Sequence, residues 1–200
     1  RTHTFEIRAR APGMETATIH NIGVRGRRGL LEDVYPAVPY DFVPNRLHVK
    51  AGDYVHFQWT GANSNEEKSG NEGEGTTTDD IHNVVQMADP KKNTPMEPSE
   101  YTMWGGNSAL ALKFAYLGQT GCQSLDSLLT QHGADYPYTS PDTEQNNLEQ
   151  DQENCMKLNK APLYFDGEPL QFSTPGTYYY MSTRNNNLGY RSQKGVIIVE

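Results

Sequence analysis

The chain has few of the features that announce a chemistry. Its basic residues never form a run longer than Arg25-Gly26-Arg27-Arg28, and 17 Lys+Arg stand against 25 Asp+Glu for a net charge of −8. That balance argues against nucleic acid or an anionic membrane surface as a partner. No apolar stretch approaches the length that spans a bilayer, which speaks against membrane insertion. No Gly-x-Ser-x-Gly, His-Glu-x-x-His or phosphate-cradling glycine loop occurs, and no Asn-x-Ser/Thr acceptor with a non-proline middle residue; the first absence leaves no motif for a hydrolase, the second leaves no site for N-linked glycan. Hydrophobic residues make up only 35%, with a mean hydropathy of −0.76, too little apolar content for a helical bundle of this length.

What is present reads as strand and turn. The chain has 18 Gly, 12 Pro and 12 Tyr, and tyrosine suits half-buried strand positions. Thr4 to Arg10 alternates, with Phe5, Ile7 and Ala9 on one side, and predicts a half-buried N-terminal strand closed by Pro12-Gly13. A strand at that place invites pairing at a sheet edge or with a neighbouring molecule. Thr16 to Val24 is a second strand. Leu47 and Val49, then Val55, Phe57 and Trp59 across Ala51-Gly52-Asp53, give a two-strand unit with Trp59 as a core anchor. Ile81 to Met87 reads as a further strand. The end of the chain, Pro175-Gly176 through Tyr178-Tyr179-Tyr180-Met181 to Gly195-Val196-Ile197-Ile198-Val199, is a turn, an aromatic strand, an Asn-rich loop and a closing strand.

Between these lies different material. Residues 100–160 contain the helical territory, in which Leu125, Leu128 and Leu129 keep helical spacing behind Ser124. Two cysteines, Cys122 and Cys155, bracket it 33 positions apart. An even pair in such a composition favours a disulfide and an extracellular setting, and the bond would tie down a segment that otherwise costs entropy to order. The start at Arg1, without a signal-peptide pattern, fits a mature form or an excised domain.

Three pieces in this order carry a resemblance: Val49-Lys50-Ala51-Gly52-Asp53-Tyr54-Val55, then His82-Asn83-Val84, then Pro175-Gly176 to Val199. Together they resemble the cupredoxin family over about a quarter of the chain. Tyr178-Tyr179-Tyr180-Met181-Ser182-Thr183-Arg184-Asn185-Asn186-Asn187 is similar to one module of secreted proteins that string several cupredoxin-like domains together. The resemblance implies an all-β Greek-key sandwich spanning residues 1–200 as a single domain, with residues 100–160 as a partly helical, disulfide-tied insertion.

It also implies where copper would sit. The early histidine position falls on His82. The Cys position falls on Ser182, the second His position on Asn185 and the axial position on Gln193. A hydroxyl cannot replace a thiolate, and a carboxamide is a poor imidazole; Gln193 alone is an acceptable axial variant. His82 then reads as a hydrogen-bonded structural group, with a copper ligand working beside unconventional partners as the alternative. The acidic loop, with Glu72, Glu74, Asp79 and Asp80, offers oxygen ligands for Ca²⁺ but lacks the ordered spacing of an EF-hand loop, and its plain reading is a solvated loop. The other histidines make no tight-spaced pair, although His48 and His56 on neighbouring strands could meet across a sheet.

The expectation is therefore a non-catalytic extracellular structural or interaction module. It would hold no cofactor and work with copies of itself or with related cupredoxin-like domains, through β-edge or N-terminal strand contacts. The alternative is a copper-binding electron carrier or copper store built on His82.

Overall fold

The computed structural model describes residues 7, 9–26, 40–60, 81–132, 153–184 and 193–200. Among the described residues, eight strands form two four-stranded sheets. In chain order they are β1 (Ile19–Gly26), β2 (Tyr40–Val43), β3 (Arg46–Val49), β4 (Tyr54–Thr60), β5 (Val85–Met87), β6 (Tyr164–Gln171), β7 (Gly176–Met181) and β8 (Lys194–Val199). The first sheet has the order β2-β1-β4-β6 and the second β3-β8-β7-β5. The pairs β1–β4 and β3–β8 are parallel, and the other neighbours are antiparallel. The fold is the Greek-key sandwich that the resemblance implied.

Alternation sets which face each strand buries. On β4, Val55, Phe57 and Trp59 are buried; on β8, Gly195, Ile197 and Val199 are. The expected two-strand unit around Ala51-Gly52-Asp53 exists, but its strands do not pair. β3 joins β8 and β4 joins β1 and β6, so the turn carries the chain from one sheet to the other. This follows from burial: Val49 and Val55 reach one interior from opposite layers. His48 and His56 consequently lie in different sheets and do not meet. Instead His48 lies 3.4 Å from Glu200, and His56 Nε2 lies 2.6 Å from Asp166 Oδ1.

Two further expectations change. Ile7, Ala9 and Arg10 lie outside any strand, and Ile7 is 88% exposed. The half-buried strand is thus not seen at those three positions, because no described element of the chain lies over them; residues 4–6 and 8 lie outside the described residues. Of Ile81 to Met87, only Val85–Met87 joins a ladder, against β7, while Ile81 to Val84 run buried without one.

Between β5 and β6 the described residues include the α-helices α1 (Ser108–Tyr116) and α2 (Leu125–His132). The leucine spacing located α2. Helix α1 begins where Asn107 Oδ1 accepts from Leu110 N at 3.0 Å and ends at Leu117, which is left-handed with φ 58°. It docks through Phe114, whose ring meets Phe57 at 5.8 Å and Phe165 at 5.2 Å. That contact needs Gly167, because a Cβ there would lie 2.7 Å from the Phe114 ring. Cys122 and Cys155 form the expected disulfide, with Cα atoms 5.0 Å apart. Backbone bonds from Gln123 N to Glu153 O (2.7 Å) and from Cys155 N to Gln123 O (2.8 Å) flank it.

Candidate functional site

At one end of the second sheet, the run before β5, the end of β7 and the start of β8 converge. Ser182 N donates to Gln193 O at 3.1 Å, drawing the exit of β7 against the start of β8. Asn83 binds the third piece. Its Oδ1 accepts from Thr183 N at 2.8 Å, from Ser182 Oγ at 3.0 Å and, at 3.4 Å, from Arg184 N. Its Nδ2 donates to Thr183 Oγ1 at 2.8 Å and to Ala115 O at 2.9 Å, the second bond reaching helix α1. One buried side chain thereby satisfies backbone groups that a chain leaving a ladder would orphan.

His82 lies beside this hub and is 2% exposed. Its Nδ1 meets Gln193 Oε1 at 3.1 Å, and with an oxygen as acceptor Nδ1 carries the proton. The ring packs against Tyr40 at 4.8 Å and Trp59 at 6.3 Å. Burial, opposed by the Gln193 hydrogen bond and helped by the Arg184 charge, pulls the imidazole down to about 4. At neutral pH the group is uncharged. Arg184 is itself buried, and its Nη1 donates to Lys157 O. The Lys157 ammonium is also lowered, first by burial and then by the Arg184 charge.

The structure brings His82, Ser182 and Gln193 together. Asn185 lies outside the described residues, and so do Glu72, Glu74, Asp79 and Asp80 of the acidic loop. The donors at hand are one imidazole, one hydroxyl and one carboxamide. Ser182 Oγ already donates to Asn83 Oδ1 and accepts from Asn83 N at 3.4 Å, and Cys122 and Cys155 are consumed in the disulfide. This set does not fit a His₂Cys copper centre, which needs a thiolate. Among the described residues, no three His, Cys, Asp or Glu side chains cluster as a metal site would require.

Sequence reasoning missed two parts of the site. Asn83 was visible as the neighbour of His82, but nothing in a single chain marks an amide as a five-bond hub. A groove of about 750 Å³ was not visible at all. It is lined by α1, by residues 93–98, by the exposed Met156 and Thr183 and by the buried Ser182 and Gln193. Its residues come from six separated stretches, so no local pattern signals it.

Solved structures similar to this chain share little sequence with it. The oxidized form of plastocyanin from Dryopteris crassirhizoma is 17% identical, with 90% of this chain and 99% of that chain covered at a TM-score of 0.33. Auracyanin B is 16% identical, with 92% and 89% covered at a TM-score of 0.31. No curated protein matches. The family model of the DD3-3 cupredoxin-like domain matches residues 17–199, and the chain belongs to that family.

Proposed function

We propose that this chain is a non-catalytic extracellular module with a structural or interaction role, working with copies of itself or with related cupredoxin-like domains. The observation that carries the reading is the hydrogen-bonded knot of Asn83, Ser182, Gln193 and His82. Its members His82, Ser182 and Gln193 are the positions that the cupredoxin resemblance assigns to the metal, and its groups are engaged with one another as a fastener. The disulfide fits an oxidising, extracellular setting. No described helix is long and apolar enough to cross a membrane, and the acidic charge disfavours nucleic acid. The means of association are strand edges and the N-terminal segment. β2 and β6 end the first sheet and carry Val43 and Tyr164 exposed, and Ile7 stands in solvent.

Two measurements on the full chain test this. Light scattering across a concentration series should show association that is lost on deleting residues 1–10 or on Tyr164→Lys at the β6 edge; association unchanged by both would remove the strand-contact version. Elemental analysis should find copper well below one per chain. Stoichiometric copper that disappears in His82→Ala would overturn the structural reading in favour of a copper-binding one.

A further inference from the structure

The outward face of the second sheet carries a pattern that the core does not use. On β8, Ile197 and Val199 point into the core, so Lys194, Val196 and Ile198 point out, and Glu200 follows at the same spacing just past the strand. Val196 and Ile198 are half-buried, and neither belongs to the two apolar clusters of the described residues. Beside them β3 presents Arg46 and His48, both exposed, and β7 presents Thr177 and Tyr179. Toward β5 the same face is closed over: Val85, Met87 and Met181 are buried, with Ala115 of α1 packed against them. The exposed Arg46, His48 and Glu200 mark where the face meets solvent.

Along β8 the outward residues read cation, apolar, apolar, anion. Lys194 Nζ donates to Pro90 O at 2.8 Å and to Lys92 O at 2.9 Å, which holds the ammonium at one end beside a segment carrying the exposed Lys91 and Lys92. Both acceptors are neutral, and among the described residues neither Lys194 nor Arg46 forms an ion pair with a carboxylate. At the other end the Glu200 carboxylate is exposed, with Oε1 3.4 Å from His48 Nδ1. Lys50, exposed near that end, already has an anion beside it: its backbone N donates to Asp53 Oδ2 at 3.0 Å, and its charge helps keep that carboxyl ionised. A row that runs from cation to anion across an apolar middle is its own complement when reversed.

We infer that two copies of the chain pair face to face through β8, with the two strands antiparallel about a two-fold axis level with Ile197. Lys194 then opposes the Glu200 of the second copy at both ends, and Val196 packs on the second copy's Ile198 between them. Arg46 comes over His48, beside the same Glu200, and Tyr179 over Thr177. The contact is isologous, so one pattern supplies both halves. Charge fixes the direction, because parallel strands would set Lys194 against Lys194 and Glu200 against Glu200. This names a contact for the association proposed above and rests on that reading, with a sheet face in place of a strand edge.

Sedimentation equilibrium of the full chain, up to about 1 mM protein at about 0.15 M salt, tests the contact. These outward side chains are fewer than the roughly twenty to thirty residues a side of a stable complex, so the expected dimer is weak, with a dissociation constant on the order of 100 μM. Ile198→Lys, at the centre, should weaken it at least tenfold. Glu200→Lys and Lys194→Glu should each weaken it about tenfold, since either puts like charges together at both ends. An equimolar mixture of those two variants should dimerise as the native chain does, because one copy then carries lysine at both ends and the other glutamate. Thermal melting verifies that each variant folds; Ile198→Lys and Glu200→Lys decide the matter should Lys194→Glu not fold. Association that survives both of these, or a mixture that stays as weak as its components, would overturn the contact. If that surviving association is lost in Tyr164→Lys or on deleting residues 1–10, the assembly reading stands without this face. Loss in Ile198→Lys with indifference to the edge changes would support the face and remove the strand-contact version. A native chain that is monomeric throughout would overturn both.

Discussion

Two regions of this molecule solve the same problem in different ways. Both must hold chain that has left the sheets. The β7–β8 end is fastened by side-chain hydrogen bonds centred on Asn83, with His82 and Gln193 packed behind it. The helical region between β5 and β6 is fastened by a covalent bond, Cys122–Cys155, and by Phe114 wedged onto Phe57 and Phe165. The first device depends on the matching of its donors and acceptors, because Asn83, His82, Ser182 and Gln193 are buried and a group orphaned there is costly. The second works by limiting the unfolded chain and tolerates imperfect polar matching around it. A polar fastener is therefore sensitive to protons and to single-atom changes, and a covalent one to reductant.

Asn83→Ala should give the largest loss. It orphans Thr183 N and Arg184 N, strips Ser182 Oγ of its acceptor and leaves a void, for about 4 to 5 kcal/mol in urea unfolding. A loss below about 1 kcal/mol would mean that the β7–β8 end is held by the ladder alone. Replacing both cysteines by serine should cost about 4 kcal/mol, the loop-entropy value for a separation of 33. The two variants should differ in place as well as in size. Amide exchange should quicken across α1 and α2 in the cysteine variant, and around Ser182 to Arg184 in Asn83→Ala. Loosening of the β7–β8 end in the cysteine variant would show that the two devices are one.

The sandwich half of this contrast was the more legible in sequence. Period-2 alternation on Val55-Phe57-Trp59 and the Pro175-Gly176 turn are local signals, and both strands lie where those signals put them. The cupredoxin resemblance singled out His82 through His82-Asn83-Val84, Ser182 after Tyr180-Met181 and Gln193 two residues before Gly195, and the β7–β8 register draws the last two together. The strand pairing across Ala51-Gly52-Asp53 was misjudged because two alternating runs joined by a tight turn look alike whether they pair or pass between layers. Residues 4–10 have a strand's pattern, but a pattern needs a partner, and Ile7 has no described cover. The Asn83 hub and the groove are products of tertiary contact: their members are up to 101 positions apart in one bond, and no window of sequence contains them.

Acid sharpens the contrast further, with a somewhat smaller effect. The His82 imidazole is held at about 4 in the folded chain, against an ordinary value of 6.5. Between those limits the unfolded chain binds a proton that the folded one refuses, so stability is complete above pH 6.5 and falls as the pH drops toward 4. The loss over that window is about 3 kcal/mol, from the difference between the two values at about 1.4 kcal/mol per unit. Asp53, held below the usual carboxylate range chiefly by the His20 hydrogen bond, carries stability that is lost only at lower pH, as its carboxylate protonates below its ordinary value of 3.8. Urea midpoints from pH 7.5 to pH 4.5 should therefore fall in the native sequence and fall much less in His82→Phe, which retains a ring but cannot titrate. The cysteine-free variant should start lower and keep the native slope, because its missing bond has no proton to exchange. An equal slope in His82→Phe would place the acid sensitivity elsewhere and leave the knot a fastener that protons do not undo.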